Sequence, residues 1–324
     1  MSNIKDVSII FCINQYNIPS TEMRAVQICD KLKSLNYKAS IIEYEGFTGN
    51  ISNSICIFVK LYSISFIEVL KKNNNILIYD YVDIYPENID IVTTLFDSII
   101  VYNQNMLNDL RFKYNYQGYP IIIYHHWDER YLNIKKLPLK DITIGYIGAG
   151  NNVKTNLVHY NKLVKHNHIK VIDINTAKDI TNILMKRKNQ KKTLDKFKMT
   201  HYKSNNFTSM VIPINCHLNI RRKSSREYKY KPNTKLSTAA ALDHNIITTD
   251  DIAVRELLPR NYPYLLKSVR YNHIVNMIKY VKSTYNKPIW FKALSMMQQI
   301  KHRTSLNTII KDYINLFVHL INTK

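Results

Sequence analysis

The chain has 324 residues but only 6 glycines, where average usage of about 7% would supply about 23. Three of the six, Gly145, Gly148 and Gly150, fall together in one short stretch. Cysteine is also scarce. Cys12, Cys29, Cys56 and Cys216 form no C-x-x-C pair, and three of them lie in apolar runs. That pattern reads as buried free thiols in a reducing compartment rather than a disulfide framework. No apolar run approaches the ~18 residues needed to span a bilayer. The first residues lack the basic-then-apolar pattern of a secretory signal. A cytoplasmic protein is the expectation. Internal repeats, low-complexity linkers, helix-turn-helix patterns and zinc spacings are all missing.

Acids are missing from one half. Residues 1–140 carry 14 Lys+Arg and 14 Asp+Glu, whereas residues 141–324 carry 32 Lys+Arg against 10 Asp+Glu. The whole formal net charge of +22 therefore belongs to the second half, and the switch falls beside the glycine cluster. A composition break at a glycine cluster marks a domain boundary. Hydrophobic residues at 45% and charged residues at 22% exclude a disordered chain.

Strand-like and helix-like segments alternate along the chain. Residues 6–13, 39–44, 55–60, 76–83, 98–102 and 120–126 read as strands, with helices expected at 21–37, 64–72, 89–96 and 106–114. The second half repeats the pattern. Strands are expected at 142–148, 169–174, 207–215, 245–249 and 262–266, and helices at 153–164, 178–200, 234–242 and 252–258. A polar, basic loop is expected over 216–233. The last sixty residues read as helical, with 305–321 strongly amphipathic. Such alternation implies βαβ units and parallel sheets covered on both faces. The expected architecture is α/β: two tandem Rossmann-like domains facing a cleft. The first spans 1–135, the second 136–300, and a C-terminal helix, 301–324, packs back across the domains.

Five constellations carry chemistry. In GYIGAGNN (145–152), Gly148 and Gly150 follow a strand and precede a helix, so the backbone can approach a phosphate. The spacing G-x-x-G-x-G is not the dinucleotide G-x-G-x-x-G, which argues against a nicotinamide or flavin site. A tight strand–helix turn without ligand is the competing reading. Arg221–Lys235 is rich in Lys and Arg with a single acid, Glu227. Arg222, Lys231 and Lys235, with the helix start at Thr234, suit a diphosphate; a solvated basic loop is the alternative. Asp250, Asp251 and Glu256 either receive sugar hydroxyls or balance charge and cap a helix. Asp80 and Asp83 end a first-half strand, as a general base or as caps. His125 and His126 are adjacent on a strand and point to opposite faces, so a shared metal is not expected.

In order, these segments resemble group-1-type glycosyltransferases with the GT-B fold. The resemblance runs through STEMRAVQICDKLKSLNYKASIIEY, VKLYSISFIEVLKKNNNILIYDYVDIYPE, IIIYHHWDERY and ITIGYIGAGNN. It is most specific in YKPNTKLSTAAALDHNIITTDDIAVREL, which is similar to that family's donor-site region. The resemblance implies transfer of a sugar from a UDP-, GDP- or dTDP-linked donor to a glycan, lipid-linked or protein acceptor. It implies no cofactor and no metal requirement. It assigns donor contacts to Gly148, Gly150, Arg222, Lys231, Thr234, Lys235, Asp251 and Glu256. Lys235 would carry the leaving-group charge, and Asp83 would serve as base in an inverting reaction. The family's paired glutamates fall here on Tyr230 and Thr238, and Asp243 stands where glycine is usual. The resemblance therefore leaves the stereochemical course open. A DNA-directed glycosyltransferase and a non-catalytic nucleotide-sugar-binding relative are the alternatives. The basic stretch 178–200, with Lys186 to Lys198 at its centre, adds an anionic membrane surface as a further partner. Nucleic acid ranks behind it.

Overall fold

The structure is a computed structural model that describes residues 4–16, 19–82, 89–133, 135–136, 140–148, 162–163, 165–166, 168–173, 200–201, 211–221 and 226–323. It divides into two compact units. Unit 1 comprises Met1–His126, Lys229–Pro232 and Arg303–Lys324, and unit 2 comprises Trp127–Tyr228 and Asn233–His302. The division falls at His126–Trp127, ahead of the expected break at 135. Trp127 and Tyr131 account for the difference, because both bury with Ile147, Ile212, Ile214 and Leu242 of unit 2.

Unit 1 is built on β1 (Ile9–Ile13), β2 (Ala39–Glu43), β3 (Ile55–Val59), β4 (Ile76–Asp80), β5 (Ser98–Val101) and β6 (Tyr119–Ile122). They form one parallel sheet in the order β2-β1-β3-β4-β5-β6. Successive strand side chains point to opposite faces, so each strand serves two cores. Ile9, Phe11 and Ile13 join one cluster, while Ile10 and Cys12 join the other. The helix Leu306–Thr323 supplies Leu306, Ile309, Ile310, Tyr313, Leu316, Phe317 and Leu320 to the first cluster. Three- and four-residue spacing puts these on one helical stripe.

The helical run after β1 starts at Pro19. It passes through a π-helical turn, Glu22–Val26, into the helix Gln27–Ser34. Thr21, a plausible N-cap by sequence, lies inside this run and makes no side-chain cap bond.

Unit 2 contains β7 (Lys135–Lys136), β8 (Ile144–Gly148), β9 (Lys170–Asp173), β10 (Thr200–His201), β11 (Val211–Ile212), β12 (Cys216–Asn219), β13 (Asn245–Thr249) and β14 (Leu265–Leu266). Its main sheet is parallel, in the order β10-β9-β8-β12-β13-β14, and β7 pairs with β11 separately. Of the strand expected at 207–215, residues 207–210 lie outside the described residues and Val211–Ile212 is a strand. Among the described residues of that stretch, Val211–Ile212 pairs with β7, and the strand between β8 and β13 in the main sheet is β12, inside what reads as polar loop. Cys216–Asn219 looks polar yet is buried, because its polar side chains find partners. His217 Nε2 lies 3.2 Å from His244 Nδ1, and Asn219 Nδ2 donates to Thr248 Oγ1 at 3.2 Å.

The helix Thr234–Ala241 follows β12, and the helices Tyr271–Thr284 and Pro288–Arg303 close the unit. The expected helix at 178–200 and most of that at 153–164 lie outside the described residues.

Candidate functional site

In an open parallel sheet, the strand order reverses at a switch point, and ligands bind at the carboxyl ends of the strands there. In unit 2 that point is between β8, followed outward by β9, and β12, followed outward by β13. Gly148 is the last residue of β8. Beside it, Lys235 Nζ donates to the Ile147 carbonyl at 3.2 Å and sits 4.2 Å from the centre of the Tyr146 ring. One ammonium is thus held at the end of the strand by a carbonyl and an aromatic face.

Thr234 and Lys235 open the helix Thr234–Ala241. Asn233 precedes it, and its carbonyl accepts from Leu236 N at 2.9 Å and Ser237 N at 3.1 Å. Amides in a first helical turn point beyond the helix end and favour anions there. Gly148, Thr234 and Lys235 are therefore brought together around an end of the sheet that carries positive charge.

The end of β12 is fixed by a second arrangement. Arg221 N donates to Thr249 Oγ1 at 3.1 Å, and its guanidinium lies 3.5 Å from Asp251 Oδ2. Asp251 Oδ1 accepts from Val254 N at 2.9 Å and so caps the helix Ile252–Leu257. Burial raises the Asp251 pKa, opposed by the Arg221 charge and the Val254 amide. Both oxygens of Asp251 are thus engaged, one in capping the helix and one in pairing with Arg221. Asp250 pairs with Arg255, and its carbonyl accepts from Tyr228 OH. Glu256 is half-buried within the same short helix.

Lys231 belongs to the stretch Lys229–Pro232 that groups with unit 1. There Tyr230 OH donates to Asp109 Oδ2 at 2.7 Å, and Asn103 Nδ2 donates to the Tyr230 carbonyl at 3.3 Å. Asp83, Gly150 and Arg222 lie outside the described residues.

At the carboxyl end of the unit 1 sheet, Asp80 is wholly buried. It accepts from Arg24 Nε at 2.8 Å, Tyr102 OH at 2.8 Å and Tyr313 OH at 2.7 Å. Arg24 lies in the π-helical turn, and its Nη1 donates to the Tyr124 carbonyl at 3.1 Å. The guanidinium also faces the rings of Tyr102 and Tyr313 at 5.5 and 5.3 Å. A carboxylate with its lone pairs committed in this way does not suit the base role that the sequence allows for Asp80.

The His125 ring lies 4.7 Å from that of Tyr102, tilted by 42°, and burial together with the Arg24 charge pushes its pKa well down. His126 instead meets Gln27 Oε1 at 3.0 Å, so the adjacent histidines serve different partners. Among the described residues, no group of three His, Cys, Asp or Glu is placed to hold a metal ion.

The Arg24–Asp80 pair was missed in the sequence, although a signal is present. Arg24 falls in register with the buried stripe Ala25, Ile28, Cys29 and Leu32, and Asp80 ends a five-residue apolar strand. Opposite charges on two buried stripes are a pairing signal. Tyr146, the platform under Lys235, carries no such mark.

The two parallel-sheet units and the C-terminal helices define the class: this is the fold of GT-B glycosyltransferases. Among solved structures, a glycosyltransferase from Rickettsia africae is similar with a TM-score of 0.70 at 12% identity, covering 98% of this chain and 100% of that one. HepE of Anabaena, solved with UDP, is similar with a TM-score of 0.66 at 9% identity, over 97% of this chain and 100% of that one. Sucrose-phosphate synthase from Thermosynechococcus elongatus gives 0.64 at 11% identity, over 98% and 100%. No family model matches the sequence, and no curated protein matches it. The likeness is one of fold.

Proposed function

We propose that this chain is a glycosyltransferase that moves a sugar from a nucleotide-diphosphate donor to a glycan, lipid-linked or protein acceptor. The observation that carries the reading is Lys235. It is an ammonium fixed at the switch point of the unit 2 sheet, beside Gly148 and at the opening of a helix. A leaving diphosphate develops negative charge, and a preorganised cation with helix amides stabilises that charge in the transition state. In this reading Gly148 and Gly150 allow the diphosphate to approach the backbone. Lys231, Lys235, Thr234 and Arg222 neutralise it, and Glu256 takes ribose or sugar hydroxyls. Asp251 acts by holding Arg221 and the Ile252–Leu257 helix in place. Asp83 is the base if the reaction inverts.

UDP-sugars are the donors to test first, since HepE of Anabaena has been solved with UDP and with UDP-glucose. Protein cations supply the charge in this arrangement, so turnover is expected without added metal.

The test is a donor screen that measures released nucleotide with UDP-, GDP- and dTDP-sugars. Release from one donor class, abolished in Lys235→Ala, supports the proposal. Binding without release assigns the chain to non-catalytic nucleotide-sugar-binding proteins instead. Binding of none removes the donor reading.

A further inference from the structure

We propose that unit 2 docks on an anionic lipid bilayer through the turn that joins the helices Tyr271–Thr284 and Pro288–Arg303. The turn is fixed at its end. Pro288 opens the second helix, and the Lys287 carbonyl accepts from Trp290 N at 2.9 Å and Phe291 N at 3.3 Å. Proline suits that first position because its ring presets the helical dihedral and it lacks the amide that would go unpaired. Trp290 is buried and meets Tyr285 edge-on at 5.0 Å and Tyr264 at 6.1 Å. Tyr285 OH in turn accepts from Asn215 Nδ2 at 3.1 Å.

Neighbours in a helix are turned by roughly 100° from one another. With Trp290 pinned inward, Ile289 and Phe291 are driven outward on either side of it. They are 40% and 55% exposed. Their exposure follows from the anchored indole.

The surroundings select the partner. Lys279, Lys282, Lys287 and Lys292 are all exposed, and Tyr280 is exposed beside them. From Leu257 to Lys311 the sequence has ten Lys+Arg and no Asp or Glu. The positive field reaches His168, where burial is joined by the charges of Lys282, His166 and Lys279 in lowering the pKa. Two exposed apolar side chains flanked in the chain by lysines, within a 55-residue stretch free of acids, match an interface of acyl chains beneath anionic headgroups. A nucleic acid would satisfy the lysines but offers little to an exposed isoleucine beside a phenylalanine. This docking surface is independent of the donor reading, and its variants leave the proposed donor residues intact.

The test is co-sedimentation of the full chain with vesicles of phosphatidylcholine alone and of phosphatidylcholine with about a third phosphatidylserine, a fraction chosen to give a strong surface potential. Binding is expected only to the anionic vesicles and is expected to weaken as salt rises. Ile289→Ser with Phe291→Ser should weaken it by about tenfold or more from lost apolar contact. Lys282→Glu with Lys287→Glu should weaken it by well over about 25-fold, at about fivefold for each positive charge removed. Both variants change exposed side chains, so melting temperatures should match the unaltered chain. No binding to anionic vesicles overturns the proposal. So does vesicle binding that both double variants leave unchanged. Tight binding to duplex DNA that the lysine variant abolishes and the Ile289/Phe291 variant leaves intact would reassign the surface to nucleic acid.

Discussion

Asp80 holds three donors from three different parts of unit 1: Arg24 in the first helical run, Tyr102 after β5, and Tyr313 in the C-terminal helix. Removing the carboxylate leaves the Arg24 cation buried without its counter-charge. Breaking a buried pair from one side typically costs about 3–5 kcal/mol. Asp80→Ala should lower the unfolding free energy of unit 1 by that order, measured by urea titration, and an unchanged midpoint would show the network to be dispensable. Two buried histidines make a separate prediction. The pKa values of His125 and His217 are pushed well below 6.5 by burial, aided by Arg24 and His244 respectively. Below about pH 6.5 the unfolded chain takes up protons that the folded chain refuses, so stability falls as pH drops. The loss should approach about 1.4 kcal/mol per pH unit for each histidine, and His217→Gln should remove one of the two contributions. At this scale the sequence exposes Lys235 and Gly148, because their residue types and spacing announce anion chemistry. It hides Arg24 and Tyr146, whose roles depend on partners distant in the chain.

The elements report why parts of the architecture are readable. Strands β1, β3 and β4 are continuous apolar runs, save for Asp80 at the end of β4, because both faces of the sheet are covered, and no helix-period pattern competes with that signal. Strand β12 is the counterexample. Its His217 and Asn219 look solvent-facing until His244 and Thr248 are brought alongside by β13 and the turn before it. Local polarity therefore left it inside the expected loop at 216–233. The C-terminal helix was legible from its apolar stripe, but its docking place in the unit 1 core was fixed by tertiary packing. Phe317 is fully buried there. Phe317→Ala should cost about 3–5 kcal/mol, as expected for an aromatic removed from a packed core. A urea midpoint unchanged from the parent chain would show that the helix is not part of that core.

For the molecule as a whole, the alternation of strands and helices was enough to identify two parallel-sheet units, and the resemblance to group-1-type glycosyltransferases pointed to the GT-B fold. The unit boundary was less legible, because Trp127 and Tyr131 continue the local pattern of unit 1 but bury in unit 2. Charge divides the molecule as well, with residues 1–140 neutral and all the excess in residues 141–324. Two proposed sites would take up part of that excess: the donor site at Lys235 and the lysines flanking the turn before Pro288. The central claim is that the Lys235 end of the unit 2 sheet holds a nucleotide-sugar diphosphate. Titration calorimetry with UDP, GDP and dTDP, on the parent chain and on Lys235→Ala, tests it most directly. The account predicts saturable one-site binding of one of these nucleotides, weakened in Lys235→Ala by about 10- to 100-fold, in keeping with loss of a charge-assisted contact of about 1.5–3 kcal/mol. Absence of binding by all three, or equal affinity in the parent and the variant, would contradict it.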